Sequence, residues 1–294
     1  MNLIKAVYGS SLSFLNTVPK SERKKIGQFF TPAPIAEYMG GMATNCYETV
    51  YVLDPGAGSG VLSAAIVSKL IDGKAKHIYL DAYENNVGII PLLTNNLEAI
   101  REAAKEKGAT VHYRIYDTNF IEANRKAWTG LAPNSKYDIV ICNPPYKKLG
   151  KQDIEACIMG EMVHGQPNLY FLFMAMGAHL LKESGEIICI VPRSFTSGLY
   201  FTAFRKWFTS QVRIENVHYS HQGDLSAEKT VSYRRQSFYG QKKPQTSLNI
   251  SRLQSLKTKT ALSATDSMHN TKHALKMMAI RFCSSLHQKK MQKL

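Results

Sequence analysis

"TVYVLDPGAGSGVLSAAIVSKLI", residues 49–71, decides the fold. Its first six residues read as an apolar strand ending on Asp54, and residues 61–71 read as a helix. Between them Gly56, Gly58 and Gly60 permit positive φ and close approach of another group to the backbone. A glycine loop that leaves a strand and opens a helix suits a nucleotide-like ligand. The loop is not a Walker A sequence, since it lacks the Gly-Lys-Ser/Thr ending, and its glycines are not spaced for a pyrophosphate. A tight turn is the plain alternative; the flanking strand and helix favour the cradle.

The alternation continues outward. "HIYLDAYE" (77–84) and "TVHYRIYD" (110–117) are strands separated by a helix over 87–106. "YDIVICN" (137–143), "GEIICIVP" (185–192) and "VRIENVH" (212–218) are three more, with helices over 168–182 and 200–208 between them. A helix over 33–45 follows Pro32 and Pro34. Apolar strands alternating with helices specify a doubly wound α/β fold, a mostly parallel sheet covered on both faces. Ligands of such sheets bind beyond the carboxyl ends of the strands. Asp54, Glu84, Asp117 and Asn143 all end predicted strands, so they should meet at one cleft. Glu84 suits two ribose hydroxyls as a bidentate acceptor; a solvated strand-end acid is its plain alternative.

One strand ends unusually. After Cys142 the chain places a carboxamide, two prolines and a tyrosine, Asn143 to Tyr146. Proline fixes the backbone and removes a competing N–H donor, so this tip is rigid and donor-poor. A simple Pro-Pro turn is the bland reading of such a stretch.

Composition bounds the rest. No run of 18 apolar residues exists, and the first 25 residues lack a signal-peptide pattern. The five cysteines are odd in number and contain no CxxC pair, which fits free thiols in a reducing cytoplasm and gives zinc no support. His218 and His221 read as surface histidines, so no metal is expected. The net charge is +15, but residues 219–294 hold 14 of the 37 Lys+Arg and only 3 of the 22 Asp+Glu. Most of the basic signal therefore belongs to a tail unlike the body and says little about a cleft.

In this order "GQFFTP" (27–32), "DPGAGSG" (54–60), Glu84 and "NPPY" (143–146) resemble the S-adenosylmethionine-dependent DNA adenine-N6 methyltransferases of the gamma arrangement. Such enzymes often belong to restriction-modification systems. The resemblance implies a Rossmann-like sheet of the class I methyltransferase type and S-adenosylmethionine as cofactor. It implies that the Asn143 side-chain oxygen and the Pro144 carbonyl accept the two hydrogens of adenine's exocyclic amine, aiming its lone pair at the methyl group. Pro145 belongs to the same tip, and Tyr146 supplies a ring for an extruded base to stack on. Phe30 and Thr31 match the segment over the methionine part of the cofactor, with Thr31 near its carboxylate. Asp54, Gly56, Gly58, Gly60 and Glu84 match the rest of the cofactor site. Asn119 departs from the aspartate that usually faces the cofactor's adenine; Asp117 is the substitute. The implied partners are double-stranded DNA and a separate specificity or restriction subunit, with no membrane. "KKLGK" (147–151) reads as a phosphate grip, with a solvated loop as its alternative.

The resemblance covers residues 26–218 as a catalytic domain, leaving 1–25 as an extension and 219–294 as a basic tail in place of a target-recognition region. The tail shows no alternating strand of useful length except "TSLNI" (246–250), so the sheet is expected to lack a normal seventh strand. A divergent DNA-binding extension and a truncated product that left its reading frame near residue 219 compete, and the change in composition favours truncation. Two other functions stay open: a protein-glutamine or RNA-adenine methyltransferase using the same NPPY site, and a non-catalytic remnant that binds cofactor or DNA.

Overall fold

A computed structural model describes residues 2–19, 30–45, 47–163, 165, 167–196, 198–219 and 231–237. Met1–Tyr239 form one compact unit, and residues 240–294, "TSLNI" among them, lie outside the described residues. The first unit is built on β1 (Thr49–Pro55), β2 (His77–Tyr83), β3 (Thr110–Tyr116), β4 (Tyr137–Cys142), β5 (Leu181–Val191), β6 (Val212–Tyr219) and β7 (Val231–Ser237). They form one sheet in the order β3-β2-β1-β4-β5-β7-β6. The first five pair in parallel, and β7 runs against both of its neighbours. The order reverses between β1 and β4, which opens a crevice above their carboxyl ends.

Alternation within the central strands explains the two cores. Val140, Cys142, Ile187 and Cys189 point into one apolar cluster, while Ile139, Ile141, Ile188 and Ile190 point into another. All six residues of β4 are buried, as a central strand covered on both faces must be. The first cluster is filled by α8 (Leu169–His179), of which ten residues are buried. The second is covered by α2 (Ala33–Gly41), α3 (Val61–Asp72) and α4 (Ile90–Glu106). Gly40 lets α2 approach α3, because a Cβ there would stand 2.8 Å from the Ala65 carbonyl oxygen.

The expected absence of a seventh strand is corrected by β7. It fills the slot between β5 and β6, with Val191 opposite Val231 and Val212 opposite Ser237. Its sequence, VSYRRQS, has only two apolar residues, so a pattern scan passes over it. A strand seated between two others is held mainly by backbone hydrogen bonds on both edges, which need no apolar pattern. Residues 231–237 thus belong to the sheet and not to the basic tail.

The N-terminal segment is also structural. Residues 3–17 form α1 (Leu3–Thr17), with the Asn2 side chain accepting the Lys5 amide at its start. It buries Ile4, Val7 and Ser11 and packs against α3 and α4. The short α5 (Phe120–Ala123), α6 (Arg125–Trp128) and α7 (Ile154–Ile158) lie in the connections flanking β4, and α9 (Thr202–Gln211) leads into β6.

Candidate active site

The glycine loop is shaped by hydrogen bonds that it donates to the end of β2. Gly60 caps α3 at a φ of 83°, where a Cβ would also come within 3.2 Å of Leu93. The Ala57 amide donates to the Tyr83 carbonyl at 2.8 Å, and the Gly58 amide donates to Glu84 Oε2 at 2.9 Å. Glu84 Oε1 accepts the Asn86 amide at 2.8 Å. Burial raises the Glu84 carboxyl above its ordinary range, against the pull of these amides. Each carboxylate oxygen retains a second lone pair for a ligand hydroxyl.

Asp54 lies beneath the loop, fully buried. Its Oδ2 accepts the Ser63 hydroxyl at 2.7 Å, and its Oδ1 accepts no hydrogen bond among the described residues. Desolvation pushes its carboxyl up to about 7, with the Ser63 hydrogen bond opposing and the Glu84 charge adding. Asp54 is thus tied to Ser63 beneath the loop and is not among the residues that line the cleft.

Phe30, Thr31, Gly56, Ala57, Ser59 and Asn143 line one narrow cleft above β1 and β4. Residues 27–29 of the GQFFTP stretch lie outside the described residues, but Phe30 and Thr31 arrive where the loop and the NPPY tip meet. The Asn143 Nδ2 donates to Thr31 Oγ1 at 3.2 Å. The Tyr146 hydroxyl is within donating distance of Asn143 Oδ1 at 2.8 Å and of the Ile190 carbonyl at 2.9 Å. One hydroxyl proton serves these two acceptors in turn or shares itself between them. Burial holds the Tyr146 hydroxyl protonated, far above its ordinary range. Pro144 is buried and Pro145 half-buried, so the tip is anchored from below. The Tyr146 ring is half-buried and packs against the core under the tip.

Two expected residues behave differently. Asn119 caps α5: its Oδ1 accepts the Ile121 and Glu122 amides, and its Nδ2 donates to Glu155 at 2.7 Å. Its carboxamide is committed to the fold, because N-capping and ligand contact compete for the same oxygen. Asp117 stands exposed just past β3. Lys147, Lys148 and Lys151 are also exposed, on a loop pinned by the Leu149 amide to the Pro167 carbonyl and by the Leu169 amide to the Lys147 carbonyl.

Sequence reasoning missed Ser11 and Ser63, which hold the loop from behind, and Ser59, the loop residue that Ser11 meets. Ser63 carried a faint signal, one turn into a helix that follows a buried acid. Cys142 and Cys189 are buried free thiols 3.3 Å apart, as their apolar strands imply, whereas Cys157 is exposed. Cys46, Cys283 and His221 lie outside the described residues. Among the described residues no group of three His, Cys, Asp or Glu is placed to hold a metal, and no helix is long and apolar enough to cross a membrane.

The Eco57I restriction-modification methylase family matches residues 50–225. The type II methyltransferase M.PstI of Providencia stuartii is 30% identical over 203 residues, 69% of this chain and 40% of that protein. M.BsuBI of Bacillus subtilis is 29% identical over 221 residues, 69% of this chain and 43% of that protein. The chain thus spans under half the length of these relatives. A Listeria monocytogenes structure described as a class I S-adenosylmethionine-dependent methyltransferase superposes with a TM-score of 0.60 at 16% identity, covering 81% of this chain and 69% of that one. At that identity the likeness is one of fold.

Proposed function

The chain belongs to the Eco57I restriction-modification methylase family, and from that premise we propose that it transfers a methyl group to the exocyclic amine of an adenine in double-stranded DNA. The observation that carries this reading is Asn143, held at the carboxyl end of β4 with Thr31 on its nitrogen side and the glycine loop across one cleft. The residues present fit S-adenosylmethionine. Positive φ at Gly56, Gly58 and Gly60 turns the loop beside Glu84, which keeps lone pairs for ribose hydroxyls. Bound there, that cofactor supplies an electrophilic methyl group on a sulfonium.

The chain's own residues do the rest by positioning. Glu84 accepts the ribose hydroxyls while fixing the Gly58 amide. Asn143 Oδ1 and the Pro144 carbonyl accept the two amine hydrogens of an extruded adenine, which localises the nitrogen lone pair and makes a strong general base unnecessary. The Thr31 contact sets which end of the Asn143 carboxamide faces the base. Tyr146 offers its ring to the base. Lys147, Lys148 and Lys151 sit on a pinned loop where they meet phosphates. Asp117 takes the adenine end of the cofactor in place of Asn119. The chain works in the cytoplasm, with a separate specificity or restriction subunit as a partner.

Labelled S-adenosylmethionine offered with duplex DNA, transfer RNA or a release-factor peptide tests the substrate. Label should enter DNA as N6-methyladenine, and Asn143→Ala should bind cofactor normally while losing turnover by at least roughly a hundredfold. Label in the peptide or RNA alone would replace this reading with the amide or RNA alternative. Cofactor binding without transfer to any of the three would favour the non-catalytic remnant.

A further inference from the structure

The contact between α1 and the glycine loop carries a role for a segment outside the family match. Ser11 is completely buried in α1, an unusual place for a hydroxyl. Its Oγ lies 2.7 Å from Ser59 Oγ and 2.8 Å from the Val7 carbonyl. Ser59 is itself buried, lines the cleft, and has its carbonyl fixed by Asn96 Nδ2 at 2.7 Å. Farther along the same helix, Phe14 and Leu15 pack against the cluster of Phe30, Ile89 and Leu92, and Phe30 also lines the cleft. Helix α1 therefore backs the site at two points.

The protons of the serine pair have two arrangements. If Ser11 donates to the Val7 carbonyl, Ser59 must donate to Ser11, and Ser59 presents only lone pairs to the cleft. If Ser11 donates to Ser59, the Ser59 proton is free to point into the cleft. The pair thus presents either an acceptor, which suits an ammonium, or a donor, which suits a carboxylate. Switching between them needs only two hydroxyl rotations.

We propose that Ser11 is a positioning residue that acts through Ser59 on the charged amino-acid end of the cofactor, making α1 a working part of the cofactor site. This rests on the S-adenosylmethionine reading of the cleft. A hydroxyl pair of this kind recognises a zwitterionic group and is indifferent to a neutral thioether.

Calorimetry on the full chain with two probes tests it: S-adenosylhomocysteine, which has the amino-acid end, and 5′-methylthioadenosine, which lacks it. Ser11→Ala should weaken S-adenosylhomocysteine binding roughly three- to tenfold, the worth of one hydrogen bond, and leave 5′-methylthioadenosine unchanged. Ser59→Ala should show the same selective loss, and the double variant should be no worse than either single one. Equal weakening of both probes would reduce Ser11 to a structural residue, and no weakening of either would remove it from the site. If Ser11→Ala does not fold, Ser59→Ala decides by the same criterion. Failure of the unaltered chain to bind either probe would overturn the cofactor reading itself, which separates the two failures.

Discussion

Asp54 is expected to make this protein less stable as pH rises through neutrality. Burial raises its carboxyl from 3.8 to about 7, so between those values the folded chain holds a proton that the unfolded chain has released. Stability then falls with rising pH across that window, and the loss is complete above it. At about 1.4 kcal/mol per pKa unit the full penalty is on the order of 4 kcal/mol. Roughly 3 kcal/mol of it develops between pH 5 and pH 8. Asp54→Asn isolates this effect, because the carboxamide keeps an acceptor for Ser63 and carries no charge at any pH. Urea unfolding of both proteins at pH 5, 6, 7 and 8 gives the comparison. A constant offset is expected from the new amide hydrogens, but the variant should gain on the parent by roughly 3 kcal/mol over the series. Parallel stability curves would refute the reasoning, since they would mean that Asp54 ionises in the fold at its ordinary pKa.

Two further changes follow from contacts seen only in the structure. Tyr146→Phe removes the hydroxyl shared by Asn143 Oδ1 and the Ile190 carbonyl, and should cost about 1 kcal/mol in thermal or urea unfolding. Methyl transfer should survive that change, whereas Tyr146→Ala, which removes the ring, should lower kcat/KM for DNA by roughly 5- to 150-fold. A chain ended at residue 239 should retain the sheet, while one ended at residue 230 should lose solubility, because β7 is the partner of both β5 and β6. Sedimentation after expression distinguishes the two, and equal solubility would show that the sheet does not need β7.

Most of the sheet was legible because its strands are buried on both faces. The fully buried β4 and the Ile-rich part of β5 advertise themselves as apolar runs, and the glycines at 56, 58 and 60 mark the turn into α3. Boundaries were less legible where a helix meets a strand without a breaker. Residues 168–182 look like one apolar helix, yet α8 stops at His179 and Leu181 already starts β5. Apolarity cannot locate that change, since both elements are buried. The strand β7 escaped for the opposite reason: its place is set by the ladders on either side, and its side chains carry little pattern.

The site divides along a similar line. Strand ends are counted along the chain, so the sequence alone places Asp54, Glu84 and Asn143 at one edge. Hydrogen bonds between distant segments cannot be counted that way. Thr31 meets Asn143 across 112 positions, and Ser11 meets Ser59 across 48. Asn119 shows the converse, a residue in the right place whose carboxamide is spent on capping α5. The family match covers residues 50–225, yet part of what holds Asn143 and backs the loop comes from residues 11 and 31, and the strand that closes the sheet comes from 231–237. The physical unit is therefore larger than the recognisable one at both ends. A fragment cut to residues 50–225 would keep the loop, Glu84 and the NPPY tip, and would lose the Thr31 contact to Asn143 and the Ser11 contact to Ser59.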